Sequence, residues 1–71
     1  MDLLFDLGNT RMKIACRDAA GVRFLAALAW DAPEFLAQWH ALSLAAPERV
    51  AIACVTRAHR LEALQELLRS R

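Results

Sequence analysis

Little in this sequence could stand in for a hydrophobic core. Two cysteines in 71 residues are not a disulfide framework. Two glycines and two prolines, set against a hydrophobic content of 58%, exclude collagen-like, low-complexity and disordered chains, which lack the apolar residues to build a core. Charge of one sign is also missing. Nine basic residues face eight acidic ones, for a net charge of +1. No single-sign field steers a polyanion, which excludes a strongly basic nucleic-acid arm. The segment Met1-Asp2-Leu3-Leu4-Phe5-Asp6 carries acids where a secretory signal carries Lys or Arg. The longest apolar run, Phe24 to Trp30, has seven residues, far from the roughly 20 that a transmembrane helix needs. A cytoplasmic protein with reduced thiols, no nucleic-acid partner and no membrane is expected.

A chain of this size buries only roughly 60% of the surface its unfolded form exposes. Without disulfides or a structural metal its core is marginal. The expectation is one small domain that is a piece of something larger.

Leu3-Leu4-Phe5, bounded by Asp2 and Asp6, reads as a strand buried on both faces. Gly8-Asn9 follows as a hairpin signal, because both residues tolerate positive φ. Arg11 to Arg17 alternates polar and apolar, with Met12, Ile14 and Cys16 on one face, as a half-buried second strand does. Asp18 to Gly21 is a turn, and Val22 to Trp30 a third strand. At Asp31-Ala32-Pro33-Glu34 a helix start is expected, with Asp31 as cap, Glu34 bonding back and Pro33 in the first turn. Phe35, Leu36, Trp39 and Leu42 follow at helical spacing, and Pro47 is expected to stop the helix near Ala46. Val50 to Val55 is a continuous apolar run, read as a buried fourth strand. Thr56 is placed to cap a final helix whose stripe is Ala58, Leu61, Leu64, Leu67 and Leu68, with Arg60, Glu62, Gln65, Glu66 and Arg69 outside. The order is β-β-β-α-β-α. A meander followed by a strand-helix-strand crossover implies a mixed sheet with a parallel pair and helices packed on it.

The segment with chemistry in it is Asp6-Leu7-Gly8-Asn9-Thr10. Asp6 is expected at the end of a buried strand, where an isolated carboxylate is expensive and a metal ion is one candidate partner. Mg²⁺ prefers one or two carboxylates together with phosphate oxygens and water. Gly8 lets a phosphate approach the backbone. Asn9 and Thr10 add an amide and a hydroxyl that can bond phosphate oxygens beside nearby backbone N–H groups. Arg11 and Lys13 share one face of the second strand and can offer charge to a nucleotide. An ordinary hairpin whose Asp6 bonds the turn N–H groups fits the same five residues. Elsewhere, His40 and His59 have no Cys or His at metal-ligand spacing. Cys16 and Cys54 read as buried thiols, and Trp30 and Trp39 as core or boundary aromatics. Arg57, His59 and Arg60 form a small basic patch at the same sheet end as the hairpin if the first and fourth strands are parallel.

The first 13 residues, Met1-Asp2-Leu3-Leu4-Phe5-Asp6-Leu7-Gly8-Asn9-Thr10-Arg11-Met12-Lys13, resemble the N-terminus of the type III pantothenate kinases. That family's first phosphate motif is Asp-x-Gly-Asn-Thr at the end of the first strand. The resemblance implies a partial ribonuclease H-like α/β domain, as in actin, Hsp70 and the acetate and sugar kinases. It implies that residues 1–71 are the first part of an N-terminal nucleotide-binding domain, with a second domain absent from this chain. It implies ATP-dependent phosphorylation of pantothenate to 4'-phosphopantothenate in coenzyme A biosynthesis. Mg²⁺ or another divalent cation, a monovalent cation (K⁺ or NH₄⁺), a cytoplasmic setting and a homodimer of the full-length protein come with it. Carried over, Asp6 would hold the metal–phosphate complex, while Leu7, Gly8, Asn9, Thr10, Arg11, Met12 and Lys13 would line or flank the ATP phosphates. The family's Gly-x-Asp segment, with its proposed general base, has no counterpart here, because neither Gly8 nor Gly21 begins one. No catalytic residue is therefore assigned, and this chain alone is expected to be inactive. Two other readings stay open: a pantothenate-kinase-like accessory or regulatory protein without catalysis, and a structural α/β module without ligand.

Overall fold

The computed structural model describes residues 1–54 and 58–70. Its elements run β1 (Asp2–Leu7), β2 (Arg11–Asp18), β3 (Gly21–Ala29), α1 (Phe35–Ala41), β4 (Arg49–Cys54) and α2 (Ala58–Arg69). The order matches the reading of the sequence. Together they form a small α/β domain with a four-stranded mixed sheet in the order β3-β2-β1-β4. β1 pairs antiparallel with β2 and parallel with β4, while β2 pairs antiparallel with β3. No helix among the described residues is long and apolar enough to cross a membrane.

One face of the sheet carries the core. The alternation of β2 buries Met12, Ile14 and Cys16 and exposes Arg11, Lys13 and Arg17, as its period-2 pattern requires. Their cross-strand partners on β1 are Leu7, Phe5 and Leu3, all buried. Leu28 of β3, Trp39 of α1 and Leu64 of α2 close the same cluster, with the Phe5 and Trp39 rings 6.2 Å apart. Both helices therefore lie over this face. Leu61, Leu67 and Leu68 of the expected α2 stripe pack against the cluster, while Glu62, Gln65, Glu66 and Arg69 are exposed.

The opposite face is uncovered among the described residues, and this corrects two expectations. Leu4 is only half-buried, so β1 is not buried on both faces. β4 is exposed along its whole length, because it forms an edge beyond the helices' cover. Val50 and Ile52 share the helix-side face with Leu3 and Phe5 yet keep 39% and 37% of their surface in solvent. Cys54 is likewise exposed, whereas Cys16 is buried as expected. A register shift between Ile14 and Ala15 skips Leu25, so that Ala15 pairs with Phe24. That bulge turns Phe24 onto the open face, where it is 62% exposed.

Asp2 pins the far end of the sheet. It lies opposite Arg17 on β2 and Arg49 on β4, and its carboxylate reaches both guanidinium groups, at 2.9 and 3.5 Å. The hydrogen bond from Arg17 holds the Asp2 carboxyl below the usual carboxylate range. Burial opposes this, and the Arg49 charge adds to it. The Met1 ammonium meets Glu48 at 3.2 Å, and the Glu48 N–H donates to the Met1 carbonyl at 2.9 Å.

The first helix differs most from its sequence signals. It spans seven residues and has no side-chain cap bond; its N-cap position is Glu34. Asp31 does not cap it, because the chain leaves β3 through two successive tight turns, Ala32 N–H to the Ala29 carbonyl and Phe35 N–H to the Ala32 carbonyl. These displace the helix start beyond Asp31. The helix stops at Ala41 rather than near Ala46, since Leu42 turns extended and the following residues run to β4 without helical bonds. Asp18 is a turn residue as expected, accepting from the Ala20 N–H at 2.9 Å, with Gly21 at φ +122°. Val55 (expected in the fourth strand), Thr56 (the cap) and Arg57 (the basic patch) lie outside the described residues, as does the side chain of Ala58.

Candidate functional site

The Asp6–Lys13 segment is the connection between β1 and β2, at the carboxyl end of β1. Because β4 runs parallel to β1, with Leu7 opposite Cys54, the carboxyl ends of both strands meet there. Open α/β sheets bind ligands outside such ends. Gly8, Asn9 and Thr10 make the turn. The Gly8 N–H donates to the Arg11 carbonyl at 2.9 Å, which closes it.

Positive φ plays no part in this turn. Among the described residues Gly21 alone adopts it, so the expected use of Gly8 and Asn9 is corrected. Glycine is favoured at position 8 by space rather than by φ. A Cβ there would stand 3.3 Å from the Arg11 carbonyl oxygen, tighter than the closed turn accepts without shifting.

Asp6 is exposed, which corrects the expected cost of burying its charge. It stands on the open face, directly across from Lys13, and neither side chain joins an ion pair among the described residues. Asp6, Gly8, Thr10, Arg11 and Lys13 line a small cavity of about 240 Å³. Among the described residues, no group accepts from the N–H of Asn9 or Thr10. The cavity thus combines the unengaged Thr10 N–H, a hydroxyl, two cationic side chains and one carboxylate, with the unengaged Asn9 N–H next to it in the turn. That donor set suits an anion, and a hard cation carried by the anion's own oxygens. It does not suit a metal held by protein alone, since no group of three or more His, Cys, Asp or Glu side chains gathers among the described residues. Leu7 and Met12 are fully buried, so their contribution here is to anchor the loop in the core.

Sequence reasoning missed the residue that ties the loop down. Trp30 follows β3, and its backbone N–H donates to the Thr10 carbonyl at 3.0 Å. Its indole Nε1–H donates to the Gly8 carbonyl at 2.9 Å. Phe35 stacks on the indole with centroids 5.4 Å apart, and the Arg60 guanidinium lies 4.8 Å from the ring centroid and 3.8 Å from Asp31. Arg60, read from the sequence as outside the α2 stripe and as part of a basic patch at the hairpin end, does lie at that end of the sheet. His40 and His59 are exposed and take no part.

A broad open groove of about 460 Å³ continues from this cavity along the uncovered face. It passes Asp6 and Lys13, then Leu4, Ala15, Phe24 and Ala51. No family model, curated protein or solved structure matches this chain.

Proposed function

We propose that the β1–β2 connection is the phosphate-binding loop of an ATP-dependent phosphotransferase of the type III pantothenate kinase kind. On this reading the sheet is the start of a ribonuclease H-like domain of the actin, Hsp70 and acetate and sugar kinase superfamily, in a cytoplasmic, homodimeric full-length protein. The single observation that carries the reading is the turn itself. Asp-x-Gly-Asn-Thr sits at the shared carboxyl end of two parallel strands, with the Asn9 and Thr10 N–H groups unengaged beside Arg11 and Lys13.

Each residue then has a task in holding ATP. The Asn9 and Thr10 N–H groups and the Thr10 hydroxyl donate to phosphate oxygens. Arg11 and Lys13 balance phosphate charge, and Gly8 keeps the backbone accessible. Asp6 would hold the divalent cation, which supplies neutralisation of the charge that develops in phosphoryl transfer. The monovalent cation and pantothenate are assigned no residues in this chain.

Calorimetric titration of the chain with Mg-ATP, with Asp6→Asn as control, tests the reading. Expected are saturable binding by the wild type and weaker, less Mg²⁺-dependent binding by the variant, with no turnover of pantothenate by this chain. Identical behaviour of the two, with and without Mg-ATP, would instead favour the structural module. The exposure of Asp6 is the observation on that side, because an exposed carboxylate has no energetic need of a cation.

A further inference from the structure

We propose that Trp30 is a positioning residue for this loop, one that engages the Gly8 and Thr10 carbonyls and so holds the turn with its Asn9 and Thr10 N–H groups open to an anion. The inference rests on the phosphate-loop reading.

A short turn presents carbonyls as readily as amides, and carbonyl oxygens repel phosphate. Of the carbonyls from Gly8 to Arg11, three are engaged with the protein. Gly8 accepts from the indole of Trp30, Thr10 from its backbone N–H, and Arg11 from the Gly8 N–H. Two of these three bonds come from Trp30. One residue thus fixes both ends of the Gly8–Thr10 segment, and the N–H groups it leaves over are those of Asn9 and Thr10.

The indole is itself immobilised. Trp30 is 9% exposed, with Phe35 stacked on it and the Arg60 cation close to its ring. The tie therefore runs from α1 and α2 through Trp30 to the loop. A tryptophan suits this task because its apolar body packs while its ring N–H donates. A phenylalanine would keep the stack and lose the donor.

A merely structural tryptophan would affect stability alone, whereas a positioning one affects anion affinity in a protein that stays folded. Two variants separate these cases: Trp30→Phe, and a chemically synthesised chain with 3-benzothienylalanine at position 30, which replaces the indole N–H by sulfur in a ring of nearly the same shape. The melting temperature, the calorimetric affinity for Mg-ATP and the Asn9 and Thr10 amide resonances during the titration are measured for each. Loss of one neutral hydrogen bond that holds the binding conformation predicts roughly 2–10-fold weaker binding. The Asn9 and Thr10 resonances should move in the wild type and move less in the folded variants. Wild-type affinity in the folded benzothienyl chain overturns the inference and leaves the phosphate-loop reading standing. Wild-type binding that leaves the Asn9 and Thr10 amides unmoved overturns it as well. Absence of Mg-ATP binding by the wild type overturns both. If Trp30→Phe fails to fold, the benzothienyl chain carries the test.

Discussion

Helix α1 should be held by one side chain. Isolated helices shorter than about 12–15 residues are marginal in water. This one has seven residues, no side-chain cap and no acidic residue in its first turn. It persists because Trp39 is fully buried against Phe5. A tryptophan buries 150–250 Å², so at about 25 cal/mol per Å² its transfer is worth roughly 4–6 kcal/mol as an upper bound. Trp→Ala changes in cores cost about 3–5 kcal/mol. At about 0.05–0.15 kcal/mol per residue, the whole domain holds roughly 4–11 kcal/mol. Trp39→Ala therefore removes a large share of the stability. Leu36 is the internal control, since it lies one turn earlier in the same helix and is 56% exposed. Leu36→Ala should cost less than about 1 kcal/mol, because little buried surface is lost. Urea unfolding followed by far-ultraviolet circular dichroism measures both variants without relying on tryptophan emission. The expected result is a large drop in midpoint for Trp39→Ala and a small one for Leu36→Ala, each at an unchanged m-value. If the two losses agree within about 0.5 kcal/mol, burial of Trp39 is not what holds the helix.

Two further predictions concern other parts of the fold. Because the carboxyl of Asp2 is held low, the folded chain binds fewer protons there than the unfolded one. Its contribution to stability is then complete above the ordinary carboxylate value of about 4 and is lost as pH falls through the lowered one. The difference in urea midpoint between wild type and Asp2→Asn should be constant from about pH 5 to 8 and shrink below about pH 4; a difference that grew on acidification would contradict the Arg17 pairing. The two glycines should respond to different degrees and for different reasons. Gly21→Ala has open space but a φ of +122°, and should cost about 1–2 kcal/mol. Gly8→Ala has an ordinary φ and a 3.3 Å approach to the Arg11 carbonyl, and should cost less than about 1 kcal/mol while shifting the Asn9 and Thr10 amide resonances. A larger loss at position 8 in thermal unfolding would reverse the assignment of space and φ.

What could be read from the sequence was what neighbouring residues decide together. The alternation of Met12, Ile14 and Cys16 against Arg11, Lys13 and Arg17 allows one orientation of β2, and the structure adopts it. The element order, the mixed sheet and the turn at Asp18 were legible for the same reason. The errors share another cause. The apolar run of β4 matches a buried strand, but burial depends on what lies beside it, and here it forms an edge. Asp6 looked costly only on the assumption that β1 is covered on both sides. The Asp31 signals for a helix start are real local preferences, overridden by the turn bonds at Ala29 and Ala32 and by the depth at which Trp39 seats the helix. At the site, the loop residues were legible and their support was not. Trp30 lies 22 positions from Gly8, and no local pattern links an indole to a carbonyl that far away.

The parallel pairing of β1 with β4 also orders events in time. β1, β2 and β3 are joined by short turns, so their hairpins can close as soon as the first 29 or so residues are available. The β1–β4 pairing instead closes a loop with 47 positions between Met1 and Glu48, and such distant contacts form late. During synthesis at about 5–20 residues per second, β1 waits roughly 2–9 s for its second neighbour. Throughout that interval the strand that carries Asp6 presents an unpaired edge, so the loop can be shaped by β2 and Trp30 before the second strand of its parallel pair exists.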